Sequence, residues 1–263
     1  MSQSEPQAEP MVDEFDTVAW WTAAAVAELG DDHALPAACR GSGSPAALDW
    51  LARSMGLEPG VRLLDSGAGV GGPAEYAARN HEARPTLAEP MEGACRAARR
   101  LFGRPVAVAD GLALPFPDEA FDAAWSLGVL CTIDDKRAYL EELRRAVVPG
   151  GAVGLLVYTR AVESLPDQPE GNSFPTRAEL LDDLRATGLD VVEETLLADV
   201  PGTPDDWEQA ATEVEDVVRR DHQDDERWQR AQSQQETIVG LIRDELVVGV
   251  LVSCRRGDSA ATR

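Results

Sequence analysis

The stretch LLDSGAGVGG, residues 63–72, decides how this chain is read. It closes a short apolar run, VRLLD (61–65), and leads into a helical one, PAEYAARNH (73–81). Gly67, Gly69, Gly71 and Gly72 let backbone N–H groups approach a ligand closely at a helix N-terminus. Gly67, Gly69 and Gly72 also satisfy GxGxxG, so a dinucleotide-binding loop is one reading. A tight strand–helix turn that holds no ligand is another.

Three neighbours of the loop separate these readings. Asp65 stands two residues before the first glycine, where it orients the loop and favours a cationic ligand over a pyrophosphate. The next strand ends in Glu89, placed to accept from ribose hydroxyls, which fits either cofactor type. The third strand ends in Asp110-Gly111, and a carboxylate there suits an exocyclic adenine amine, since it accepts from N–H₂.

Working outward, strand and helix signals alternate. Strand candidates are RPTLAE (84–89), PVAVAD (105–110), FDAAWSLGVL (121–130) and AVGLLVY (152–158). Helical runs are EGACRAARRLF (92–102) and DKRAYLEELRRAV (135–147), the second stopped by Pro149-Gly150-Gly151. Strict alternation implies a parallel sheet with helices on both faces. Before this core, residues 15–35 read as a helix ending near Gly30. Ser44–Leu57 reads as another, with Ser44 as its cap, Pro45 in its first turn and Leu48, Leu51 and Met55 on one stripe. After the core come a Pro/Gly loop (161–175), a helix (176–188), a strand (191–200), a charged helical run (204–235) and a last strand (246–255). The charged run is the candidate for a cap over the sheet edge.

Composition narrows the function classes. The chain has 263 residues, 44% of them hydrophobic, which is enough for a real core. Its 24 basic and 47 acidic residues leave a formal charge of −23, which opposes nucleic acid and anionic membranes as partners. Cys39, Cys95, Cys131 and Cys254 show no CxxC or other metal spacing, so reduced buried thiols are expected. The first 14 residues carry no basic and apolar signal pattern, and no uncharged apolar run reaches the roughly 20 residues of a membrane helix. A cytoplasmic protein is expected, either monomer or homodimer. Residues 1–14 and 256–263 read as disordered tails around a single domain, 15–255.

Four segments in order, LLDSGAGVGG, AEPMEGACRAA, VADGLALPFPDEAFDAAWSLGVL and LEELRRAVVPGGAVGLLVY, resemble the class I S-adenosylmethionine-dependent methyltransferases. The likeness is to the methyltransferase type 11 branch that includes the quinone-biosynthesis enzymes, and it covers roughly residues 61–158. It implies an α/β fold: a Rossmann-like, seven-stranded, mostly parallel sheet with helices on both faces. N-terminal lid helices (15–57), a cofactor-binding core (61–160) and a C-terminal part (161–255) with a helical cap (204–245) complete it. It also implies S-adenosyl-L-methionine as cofactor and a small-molecule acceptor methylated at O, N or C.

Carried over by position, Asp65, Gly67, Ala68 and Gly69 line the methionine moiety and Glu89 the ribose. Pro90 and Met91 lie beside the adenine, Asp110 binds its amine, and Gly111 and Leu112 flank its ring. Ser126 lies near the donor at the end of the fourth strand. Arg40 is placed to pair with the methionine carboxylate, by charge and position. His33, in the segment that folds over the substrate in this family, is the acid–base candidate beside a structural role. Two features depart from the pattern. Ser66 is an unusual filler between Asp65 and Gly67, and Cys131 and Thr132 stand where many relatives carry histidine or glutamate. IDDKRAY (133–139) resembles a metal-binding run, but its carboxylates sit where they would cap a helix, so no metal is expected. Two further readings stay open: a methyltransferase-like binding protein that does not catalyse, and an NAD(P)-binding oxidoreductase.

Overall fold

The computed structural model describes residues 10–166 and 168–257. Parallel strands β1 (Arg62–Ser66), β2 (Arg84–Glu89), β3 (Val106–Val108), β4 (Phe121–Leu127) and β5 (Val147–Arg160) form most of one sheet. β6 (Leu189–Leu196) and β7 (Val247–Arg256) complete it in the order β3-β2-β1-β4-β5-β7-β6, with β7 antiparallel to both of its neighbours. The chain order reverses between β1 and β4, and in open α/β sheets ligands sit outside the carboxyl ends of the strands at such a point. The parallel sheet expected from the alternation, with the seven strands that the resemblance implies, is therefore present.

The helices that flank β1–β5 start and stop where their sequence directs. α4 (Gly72–His81) opens directly on the glycine loop, and α5 (Glu92–Phe102) ends on Gly103 in the left-handed region. α6 (Lys136–Ala146) is capped by Asp135, whose carboxylate accepts from the Ala138 N–H at 3.0 Å. That is the capping role expected for the IDDKRAY run. α7 (Arg177–Ala186) opens on a reciprocal Thr176/Glu179 capping box. The core splits over the two sheet faces. Leu140, Leu143 and Leu155 lie in one cluster, and Leu48, Leu51, Met55, Leu63 and Trp125 in the other.

The structure corrects several boundaries. Helix α1 runs Pro10–Leu29, so the N-terminal tail expected over 1–14 gives way to helix from Pro10 onward. Residues 1–9 and 258–263 lie outside the described residues. Residues 30–38 break from α1 into a 3-10 turn, Asp31–His33, and a short helix, α2 (Ala34–Ala38). α3 (Pro45–Met55) follows, with Ser44 accepting from the Ala47 N–H at 3.2 Å. β5 begins at Val147 rather than 152, because Pro149-Gly150-Gly151 forms an irregular start to the strand beside Asp122.

The charged run is two helices, α8 (Asp205–His222) and α9 (Glu226–Arg243). They pack chiefly on α1 and α2 rather than over the sheet edge. Val214, Val217, Val218 and Trp228 share a cluster with Ala25, Val26, Ala34 and Ala37. The Trp21 indole stacks on the His222 ring with centroids 3.8 Å apart, and Arg227 lies over Trp21 at 5.4 Å. Glu14 is 1% exposed and its carboxylate accepts from Arg230 at 2.9 Å and Gln234 at 3.3 Å. A buried carboxylate in this position ties α1 to α9. We expect Glu14→Ala to lower stability by about 2 kcal/mol, a fall in Tm of roughly 4–8 °C. Thermal unfolding checks this, and an unchanged Tm would mean the pair contributes nothing net.

Candidate functional site

The carboxyl ends of β1, β2 and β3 converge on the glycine loop. Asp65 is buried in the last turn of β1, in register with Trp125 on β4. Burial pushes its carboxyl up to about 7, against the Trp125 indole N–H beside it, and the Glu89 charge raises it further. The Ala74 N–H, in the first turn of α4, also opposes the rise. Its Oδ2 atom is buried and has no hydrogen-bond partner. A buried carboxylate oxygen left in this state is a site for a cation, because an isolated buried charge is costly until it is paired.

Glu89 closes the other side. Its carboxylate accepts from the Gly69 N–H at 2.8 Å and the Met91 N–H at 3.1 Å, and burial raises its pKa. Each oxygen keeps a further lone pair. Gly67 sits between the two acids with φ +72°, a left-handed conformation that disfavours side chains. A Cβ there would lie 2.3 Å from Val129 Cγ2, so Val129 covers this part of the loop. Ala68 is buried between Gly67 and Gly69. Beyond Glu89, Pro90 is exposed and Met91 half-buried. Asp110 is exposed at the next strand end, where its Oδ1 accepts from the Leu112 N–H at 2.9 Å. Gly111 follows, with Leu112 39% exposed, so an apolar side chain faces outward at this corner.

Ser126 does not reach the cleft surface. It is 2% exposed, and its Oγ lies 2.7 Å from the Tyr139 hydroxyl. That hydroxyl also lies 3.0 Å from Ser66 Oγ and 3.2 Å from the Ser66 carbonyl. Tyr139 thus enters from α6 beneath the loop and joins the ends of β1 and β4, with its ring against Gly111. This gives Ser66 a physical role, as a hydroxyl partner to a buried phenol. Sequence reading missed Tyr139 because its spacing in α6 marks it only as core.

The lid covers the loop through close backbone contact. A Cβ on Gly72 would lie 2.3 Å from the Ala38 carbonyl carbon and 2.6 Å from the Cys39 nitrogen. Asp16 of α1 accepts from the Gly93 N–H at the start of α5. Beside the loop lies a cavity of about 380 Å³, lined in part by Cys39, Arg40, Tyr158, Leu197 and Trp207. No described residue of the 161–175 loop lines it. Arg40 does not face Asp65 as a free cation, since its Nη1 lies 2.5 Å from Glu215 of α8. His33 is held elsewhere too: its Nε2 lies 2.8 Å from Glu213 Oε2, in a lid–insertion contact outside the cavity lining. Cys131 is buried and Thr132 exposed, their side chains donating to the Gly128 and Val129 carbonyls. Among the described residues, no group of three or more His, Cys, Asp or Glu side chains is placed to hold a metal ion. Nor is any helix long and apolar enough to cross a membrane.

Comparison with known proteins bears on this geometry. Residues 64–155 match a family described as a methyltransferase domain. Over 151 residues the chain is 29% identical to the 2-methyl-6-phytyl-1,4-hydroquinone methyltransferase of Synechocystis, covering 51% of this chain and 48% of that protein. Over 128 residues it is 34% identical to the ubiquinone/menaquinone biosynthesis C-methyltransferase UbiE of Cupriavidus taiwanensis, covering 45% and 52%. Over these residues the chain is similar to the class I S-adenosylmethionine-dependent methyltransferases. The matches span about half the length of these relatives. Among solved structures, the [4+2]-cyclase SpnF superposes with a TM-score of 0.65 at 22% identity, over 83% of this chain and 84% of that one. This likeness concerns the fold. The β6–β7 pair, with β7 antiparallel, also separates the sheet from the all-parallel dinucleotide-binding order.

Proposed function

We propose that this protein transfers a methyl group from S-adenosyl-L-methionine to a small-molecule acceptor at an O, N or C nucleophile, by in-line displacement. The observation that carries the reading is Asp65: a buried carboxyl with an unpartnered oxygen, beside a glycine loop, at the reversal point of the sheet. The residues present fit the donor. When bound, the donor supplies a sulfonium whose methyl is already activated. Asp65 then provides the negative charge for its cationic end, with Gly67, Ala68 and Gly69 giving close backbone approach. Glu89 offers its remaining lone pairs to the ribose hydroxyls. Met91 and Leu112 flank the adenine with Pro90 and Gly111, and Asp110 accepts from its amine. Ser126 acts from below, by fixing the loop through Tyr139.

The cavity beneath the lid holds the acceptor. Positioning a nucleophile there, in a site closed to water, supplies much of the barrier lowering. His33 lies outside the cavity lining, bound to Glu213, so no base role is assigned to it in this proposal, and Arg40 pairs with Glu215.

Calorimetric titration with S-adenosylmethionine and S-adenosylhomocysteine tests the reading, with NADH and NADPH as controls. We expect micromolar binding of the two sulfur ligands alone. The affinity should depend on pH through Asp65. With its pKa near 7 in the free protein, only about a tenth of the carboxyl is ionised at pH 6. Binding that requires the carboxylate is therefore about tenfold tighter at pH 8 than at pH 6 and releases a proton. Absence of sulfur-ligand binding by folded protein would reject the donor assignment. Binding without a pH dependence would reject Asp65 as its counter-charge.

A further inference from the structure

The cavity carries a more specific statement about what it holds. Its volume, about 380 Å³, lies toward the small end of the range of roughly 300–1,000 Å³ usual for ligand sites. Its apolar wall is made by Pro36, Tyr158, Leu197 and Trp207. Its inner side reaches the glycine loop through Cys39, which lines it and whose backbone nitrogen would lie 2.6 Å from a Cβ on Gly72. The Tyr158 ring stands at the end of β4, 3.9 Å from where a Gly128 Cβ would lie, and the Gly41 carbonyl of the lid meets the same point at 3.2 Å.

The polar side chains of the cavity are committed, with one enclosed exception. Ser44 donates to the Pro201 carbonyl at 3.0 Å, and Arg40 is paired with Glu215. Thr203, Glu208 and Thr212 are exposed at the mouth. Tyr158 is largely enclosed, and no hydrogen bond to its hydroxyl is formed among the described residues. Burial and the Cys131 thiol push its phenol up to about 12, so it stays protonated and can donate at any physiological pH. The hydroxyl thus has its donor unused on the cavity wall, and a ligand oxygen that accepts from it adds a hydrogen bond.

We propose that Tyr158 selects the acceptor: the cavity takes a compact ring compound whose carbonyl-type oxygen accepts the Tyr158 O–H. That this ligand is the methyl acceptor rests on the function proposed above; the recognition itself does not. Tyr158 is a positioning residue, and its contribution is read by a thermodynamic cycle.

The experiment titrates wild type and Tyr158→Phe with two probes of matched shape, acetophenone and ethylbenzene, followed by protein NMR. S-adenosylhomocysteine is titrated in parallel. Phenylalanine keeps the ring, and thermal unfolding verifies the fold. The expected result is that the ratio of acetophenone to ethylbenzene affinity falls about fivefold in Tyr158→Phe, with ethylbenzene and S-adenosylhomocysteine binding unchanged. An equal ratio in the two proteins, or failure of both probes to bind wild type, overturns the proposal. If S-adenosylhomocysteine fails to bind while the ratio shifts as expected, the recognition stands and the methyltransferase reading falls. If it binds and the ratio does not move, the reverse holds.

Discussion

Asp65→Asn is expected to weaken S-adenosylhomocysteine binding on the order of 100-fold while making the ligand-free protein more stable at pH 8. Both effects have one cause. The carboxyl is fully enclosed, one oxygen has no partner, and burial holds its pKa near 7. The folded pKa lies above the unfolded value of 3.8. Between these values the folded state keeps a proton that the unfolded chain has lost, so stability from this group falls as pH rises through that window. Above about pH 7 the full cost of the buried charge is present, and asparagine, of the same shape, removes it. The Tm gain should therefore be largest at pH 8 and small near pH 4. The sequence pattern of an acid before a glycine loop implies the binding role; only the burial implies the stability cost. A variant that loses both affinity and Tm at pH 8 would show that Asp65 supports the fold instead.

Gly72→Ala is expected to unseat the lid. Gly72 begins α4, and a Cβ there would lie 2.3, 2.4 and 2.6 Å from backbone atoms of Ala38 and Cys39. Backbone cannot rotate aside as a flexible side chain does, so the lid segment or the helix must shift. Overpacking of this kind costs about 1–3 kcal/mol. Limited proteolysis within residues 30–44 should speed up about tenfold for each 1.4 kcal/mol moved into lid opening, and Tm should fall with it. Gly69→Ala provides the contrast, since its Cβ would meet nothing within 4 Å and only its φ of +53° opposes a side chain. Equal proteolysis of Gly72→Ala and wild type would mean that the lid is not seated on the loop. The proposed methyl transfer would depend on that seating, which brings Cys39 of the cavity wall against the start of α4.

The fold of [4+2]-cyclase SpnF shows why such measurements are needed: a shared sheet does not name a reaction. Cys131 and Thr132, where the resemblance leads one to expect a polar group near the acceptor, lie outside the cavity lining. Both side chains are spent on local carbonyls there. Under the proposed recognition, selectivity would fall to Tyr158 and Trp207, which line the cavity from distant parts of the chain.

Where local signals were strong, the sequence sufficed. RPTLAE and EGACRAARRLF are β2 and α5 to the residue, because Pro90 interrupts the first and Gly103 ends the second. The alternation of such units, read with the family likeness, was enough for an α/β sheet and for the order of acids along it: Asp65, Glu89 and Asp110. What depends on non-local contact was not legible. Glu14 looked like tail because it is acidic and flanked by polar residues, yet α9 supplies Arg230 and makes it core. Tyr139 and Ser126 looked like packing and a donor contact, and a shared hydrogen-bond network makes both a brace under the loop. His33 and Arg40 are charges whose local sequence leaves them free, and α8 claims them through Glu213 and Glu215. The chain by itself determined its strands, its helices and the acids at the ends of β1, β2 and β3, since periodicity and turn chemistry act over a few residues. Tertiary structure decided which charges remain available, because a carboxylate's partner is set by distance in space and not by position along the chain.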